Sequence, residues 1–153
     1  MYKSKNTLSK IIDFTGIGLH SGEKVKISLI PTATDTGINF KINNTLILAS
    51  WQNAVVSQLC TRLKFGENAI STVEHLMAAI SGLGITNLII KINSNEVPIL
   101  DGSSKEFVDE IRNAGIIEQK KKKKILKILR KVEYKDQEKF IRISPSKKKN
   151  LSF

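Results

Sequence analysis

The sequence predicts a chain of mixed α and β structure, and three patterns predict it. Val25, Ile27 and Leu29 alternate with polar residues, the period of a half-buried strand. Two S-x-x-E strings, Ser71-Thr72-Val73-Glu74 and Ser103-Ser104-Lys105-Glu106, each precede apolar residues at helical spacing. Between and around them, glycines and asparagines cut the apolar residues into runs of strand length.

Taken in order, residues 7–15 read as a first strand that stops at Gly16-Ile17-Gly18. Residues 24–30 form the second, ended by Pro31, and the two make a hairpin around a glycine-rich loop. Residues 38–42 and 45–48 flank Asn43-Asn44, a tight turn. A short strand over 60–65 would bury Cys60. The first helix spans about 72–81, with Leu76, Met77, Ala79 and Ile80 on its apolar side and Gly82 or Gly84 at its end. Residues 85–92 read as a buried strand. The second helix carries Phe107, Val108, Ile111 and Ala114 as its stripe, with Gly115 after it. A final hairpin joins 125–134 to 139–144 across the polar turn Lys135-Asp136-Gln137-Glu138.

The 153 residues make one domain with one sizeable core. No run reaches the ~18–20 apolar residues of a membrane span, and the first residues lead into no apolar signal core. One cysteine, Cys60, excludes an internal disulfide and fits a cytoplasmic setting. The net charge of +11 is unevenly placed: residues 1–119 hold 11 basic and 11 acidic side chains, residues 120–153 hold 14 and 3. The chain is thus a neutral body with a basic end, rich in lysine at 120–124 and 147–149. Few aromatics lie among those lysines, so the stacking platform of a single-strand binder is missing and no specific nucleic acid is expected. A solvated lysine-rich surface is the simpler expectation, with peripheral contact to an anionic membrane left open.

Two histidines are candidates for chemistry. His75 follows Glu74 in the first turn of the first helix; an imidazole binds Zn²⁺, and a neighbouring carboxylate takes a proton from water. Spacing alone favours a plainer role, with Glu74 as the capping-box residue, and the H-E-x-x-H pattern is absent. His20 lies in Gly16-Ile17-Gly18-Leu19-His20-Ser21-Gly22, which neither matches a phosphate-binding loop nor joins a strand to a helix. Asp101, before the second helix, is a candidate functional acid, though an Asx turn and cap explain it as well.

Three strings change these odds together: TGIGLHSGEKVKISLIP (15–31), ISTVEHLMAAISGLGITNLIIKIN (70–93) and EVPILDGSSKEFVDEI (96–111). In wording, order and separation they resemble the N-terminal half of the UDP-3-O-acyl-N-acetylglucosamine deacetylases, zinc amidases of lipid A biosynthesis in Gram-negative bacteria. The likeness runs roughly from Leu8 to Phe153. It implies an α+β fold in which a β-sheet carries two helices on one face, the first of two similar domains, with strands after Lys124. It implies that His75 binds Zn²⁺ and that Glu74 is the general base, deprotonating the zinc-bound water that attacks the acetamide carbonyl and releases acetate. His20, Leu59 and Cys60 fall at positions bordering the family's substrate site, and Asp101 at a structural one. The substrate implied is a UDP-linked acylated amino sugar, handled in the cytoplasm at the inner face of the membrane.

The resemblance also implies what to look for elsewhere. Family members carry the remaining zinc ligands, in an H-K-x-x-D motif, in a second domain, together with a histidine acid and an oxyanion-binding threonine. No histidine follows His75 here. The expectation is a truncated first domain over 1–153 without its second domain: a fragment, a frameshifted product or one half of a split enzyme, inactive by itself. The competing expectation is a non-catalytic basic module that binds nucleic acid or an anionic membrane.

Overall fold

The computed structural model describes residues 4–146; the lysines at 147–149 lie outside them. The chain divides into two compact units, residues 1–123 and residues 124–153.

The first unit begins with β1 (Ser4–Leu8), β2 (Ile12–Ile17), β3 (Lys24–Pro31), β4 (Ile38–Ile42) and β5 (Thr45–Leu48). A 3-10 turn at Trp51–Asn53 leads into β6 (Ala54–Val55), β7 (Arg62–Phe65) and β8 (Asn68–Ile70). Then come α1 (Glu74–Gly82), β9 (Leu88–Ile92), α2 (Lys105–Ala114) and β10 (Ile116–Lys122). The main sheet has the order β2-β3-β9-β4-β5; β9 runs parallel to β4, and the other pairs are antiparallel. A three-stranded sheet, β6-β7-β8, and a two-stranded ribbon, β1-β10, complete the unit.

Alternation decides which face is buried. Val25, Ile27 and Leu29 of β3 share one core with Phe40 and Ile42 of β4 and Leu88, Ile90 and Ile92 of β9. Leu76, Ala79 and Ile80 of α1 and Phe107 and Ile111 of α2 close that core, so both helices lie on one face of the sheet. Each of these large side chains contributes about 1.5–3 kcal/mol on leaving water. The arrangement is α+β, as expected.

A polar seam holds the ribbon to the unit. Asn87 is buried; its amide donates to Gln119 Oε1 of β10 (2.7 Å), its carbonyl accepts from Thr7 Oγ1 (2.7 Å), and its Oδ1 accepts from Gly37 N–H (3.0 Å). At the surface, Asp35 receives Lys5 of β1 and Lys121 of β10, and these two ammonium groups hold its carboxyl down at about 2.

Several boundaries differ from expectation. The strand expected over 7–15 is two strands in different sheets. The chain turns at Ser9, whose N–H donates to Gly115 O (3.0 Å), so the mixed polar pattern reflects two inward faces. The strand expected over 60–65 starts at Arg62, leaving Cys60 half-buried in a loop. The lysines at 120–122 are strand, not a connection: β10 pairs with β1 from Ile116 to Lys122, and an exposed ribbon lets lysine side chains stay in water while their backbone pairs. Neither S-x-x-E string forms a capping box: the Ser71 N–H goes to Asn95 O and the Ser103 N–H to Asp101, and to neither string's glutamate. At α2, the Asp101 carboxylate instead accepts Ser103 N–H (2.9 Å), the expected Asx turn, and Ser103 Oγ accepts Lys105 N–H (3.0 Å).

Among its described residues, the second unit contains one hairpin, β11 (Val132–Asp136) with β12 (Lys139–Ile143). Its pairing is set by the two-residue turn between Asp136 and Lys139, where Gln137 has φ +54°. Val132 therefore meets Ile143, and the expected start at 125 has no strand partner among the described residues. Val132, Tyr134, Ile141 and Ile143 share one face of this hairpin and are exposed. No helix of the described residues is long and apolar enough to cross a membrane.

Candidate active site

Glu74 and His75 stand in the first turn of α1, and the chain enters that turn in an unusual way. Ser71 forms a parallel bridge with Glu96: Ser71 N–H donates to Asn95 O (2.9 Å) and Val97 N–H to Ser71 O (3.1 Å). The next residue, Thr72, is buried with φ +58°, a left-handed backbone that a β-branched residue seldom takes. The kink swings the chain out of the bridge and into the helix within two residues.

The Glu74 carboxylate is half-buried and does not fold back as a cap. Its Oε2 accepts the Thr61 N–H (3.0 Å), and Val73 N–H donates to Thr61 O (3.4 Å). These two bonds tie residues 57–61 to the helix entrance. Oε1 of Glu74 accepts no hydrogen bond among the described residues. His75 is half-buried; its carbonyl accepts Ser104 Oγ–H (2.8 Å), fastening α1 to the start of α2.

A second carboxylate, which the sequence reading did not single out, organises the neighbouring loop. Glu96 is only 3% exposed. Its Oε1 accepts His20 N–H and Thr72 Oγ1–H, and its Oε2 accepts Ser21 N–H, each at 2.9 Å. Burial pushes its pKa up. The bonds from His20, from the Ser21 side chain and N–H, and from Thr72 outweigh burial and bring it from 4.5 down to about 2. Gly18 makes room for this carboxylate, since a Cβ there would lie 2.4 Å from Glu96 Oε2. The available signal was an acid placed directly before the apolar stretch Val97-Pro98-Ile99-Leu100.

The sign of the pH effect follows. The folded pKa lies below the unfolded one, so the unfolded chain binds more protons as pH falls from 4.5 towards 2. Stability from Glu96 is complete above that window and disappears as pH drops through it. Urea midpoints at pH 5 and pH 3 should fall for the wild-type chain more than for Glu96→Gln; equal slopes would contradict the assignment.

His20, Ser21, Ser57, Cys60, Ser71 and Glu96 line a surface depression of about 390 Å³. The structure thus brings His20 and Cys60 to one depression and links Glu74 to Thr61 beside it. Cys60 Sγ lies 3.2 Å from Ser57 Oγ. Leu59 does not line the depression; it is 91% exposed with φ +57°, at the outer turn of the same loop. Neither Glu74 nor His75 lines it.

A catalytic zinc takes about three protein ligands and keeps an open position. No group of three histidine, cysteine, aspartate or glutamate side chains suited to a metal occurs among the described residues. Alone, they do not fit a catalytic zinc site.

The family model described as UDP-3-O-acyl N-acetylglycosamine deacetylase matches residues 5–153. The chain belongs to that family. A UDP-3-O-acyl-N-acetylglucosamine deacetylase of Thioalkalivibrio sulfidiphilus is 45% identical over 145 residues, 92% of this chain and 48% of that protein. Deacetylases of the same name from Legionella pneumophila and Xanthomonas oryzae are each 40% identical over 153 residues, 97% of this chain and 50% of theirs. The chain therefore spans about half the length of the curated deacetylases it matches.

Proposed function

We propose that this chain supplies one half of a zinc-dependent deacetylase site. The reaction is hydrolysis of the acetamide of UDP-3-O-acyl-N-acetylglucosamine, with release of acetate, in lipid A biosynthesis. Glu74 is the general base and His75 the metal ligand contributed from this chain; the other ligands come from polypeptide beyond it, a second domain or a second half-chain. His20 and Cys60, in the depression, and Leu59, on the adjoining loop, contact the UDP-linked acylated amino sugar. The setting is the cytoplasm, with peripheral contact at the inner membrane.

The observation that carries this reading is the state of the Glu74 carboxylate. One oxygen is held by Thr61 N–H, which fixes the direction of the side chain, and the other is left to accept a proton. A positioned base needs both conditions, and here the N–H comes from a loop beside the depression and not from the helix's own cap. Family membership supports the choice of reaction.

The test is an acetate-release assay on the UDP-sugar substrate with zinc. The 153-residue chain alone should release none. Joined to the remaining half of the Legionella pneumophila relative, it should turn over. Zinc-dependent release by the chain alone, or an inactive but folded joined protein, would refute the proposal.

A further inference from the structure

We infer that Glu96 is a positioning residue for the site: it fixes the His20 loop to the entrance of α1 and thereby sets where Glu74 stands. The inference rests on the reading of Glu74 as the base.

Three observations carry it. The carboxylate is buried, and its two oxygens collect donors from two separate segments: His20 and Ser21 in one loop, and Thr72 two residues before Glu74. The backbone of Glu96 is held independently by the bridge to Ser71, so the side chain is not needed to keep the strands paired. Thr72 itself holds a left-handed backbone, and such conformations persist only where their surroundings over-determine them. Its hydroxyl is restrained by Glu96 on one side, and the next peptide N–H is restrained by Thr61 O on the other.

A buried charge is a poor source of stability for its own sake, whereas charge-assisted hydrogen bonds define direction well. Here the direction is transmitted. Movement of Thr72 turns Val73 and Glu74 with it, and Glu74 in turn holds Thr61. His20, Glu96, Thr72, Glu74 and Thr61 form a continuous train between the two loops that flank the depression. Gly18 belongs to the same device, because a side chain there would collide with Glu96 Oε2 and Ser21 Oγ.

The experiment is backbone amide exchange by NMR on the ¹⁵N-labelled 153-residue chain, with urea unfolding as a control on the fold. Glu96→Gln keeps the shape but removes the charge and turns one of the two acceptor oxygens into a donor. It should speed exchange at His20 and Ser21 by roughly tenfold, the factor that goes with a lost charge-assisted hydrogen bond. It should also speed exchange at Thr61, whose acceptor is Glu74. Thr72→Val leaves the His20 and Ser21 donors in place and should speed Thr61 alone. If Thr61 exchange is unchanged in both variants, Glu96 holds only its own loop and the inference fails. If Glu96→Gln does not fold, Thr72→Val decides by the same criterion. No turnover enters this measurement. An inactive joined enzyme would remove the deacetylase reading and leave the coupling intact, whereas an active one with unmoved Thr61 would remove the positioning role alone.

Discussion

Glu74→Gln in the joined enzyme is expected to lower kcat by about 10²–10⁴-fold, the range for loss of a general base, while KM changes little. The substitution is nearly isosteric. The glutamine carbonyl can still accept the Thr61 N–H that Glu74 Oε2 accepts at 3.0 Å, so residues 57–61 stay tied to the helix entrance. What disappears is the second oxygen as a proton acceptor. Steady-state acetate release over a range of substrate concentrations separates the two parameters. A rise in KM with kcat preserved would mean that Glu74 serves only to hold the loop. A fall in both kcat and thermal midpoint would point to a structural carboxylate instead.

Phe107→Ala is expected to cost about 3–5 kcal/mol of folding stability, the range for emptying a buried aromatic site. Phe107 is fully buried on α2 and meets Phe14 of β2 edge-on, with ring centroids 5.0 Å apart and planes at 60°. With Ile111, it is thus one of the contacts that press the second helix on the sheet. Ser104, three residues before Phe107, holds the His75 carbonyl, so loosening α2 also frees the first turn of α1. Urea titration of the isolated chain measures the loss. A change below about 0.5 kcal/mol, the size of an ordinary surface substitution, would show that the site collapses around the cavity.

The legible parts of this fold are those where one local rule and one burial face coincide. Lys24–Pro31 was readable because Val25, Ile27 and Leu29 alternate with polar residues and face the same core. β4 and β5 were readable because Asn43, with φ +52°, supplies the turn between them. The rest depends on partners distant in sequence. Nothing in Ser9 says that it will bond Gly115, so the break between β1 and β2 is invisible locally. The two S-x-x-E strings are genuine local signals that other contacts override: Glu74 is taken by Thr61, 13 residues away, and Ser103 by the local turn with Asp101. In the site, the pairing of Glu74 with His75 was visible as a motif, and the resemblance raised it above a capping box. Glu96 was passed over because its role lies in donors 24 to 76 residues away, which no short pattern contains.

The β1–β10 ribbon has a consequence for how the chain is made. Ser4 meets Glu118 across 114 residues, and Leu8, buried in the common core, lies on the strand that waits for that meeting. On the ribosome, β1 emerges before the other strands of the first unit and stays unpaired until the last of them is synthesised, at about 5–20 residues per second. The main sheet can assemble in the interval, since β2 to β9 all come earlier. The first unit is therefore closed by its own beginning, and for several seconds of every synthesis its N-terminal strand is an open edge available to chaperones or to other nascent chains.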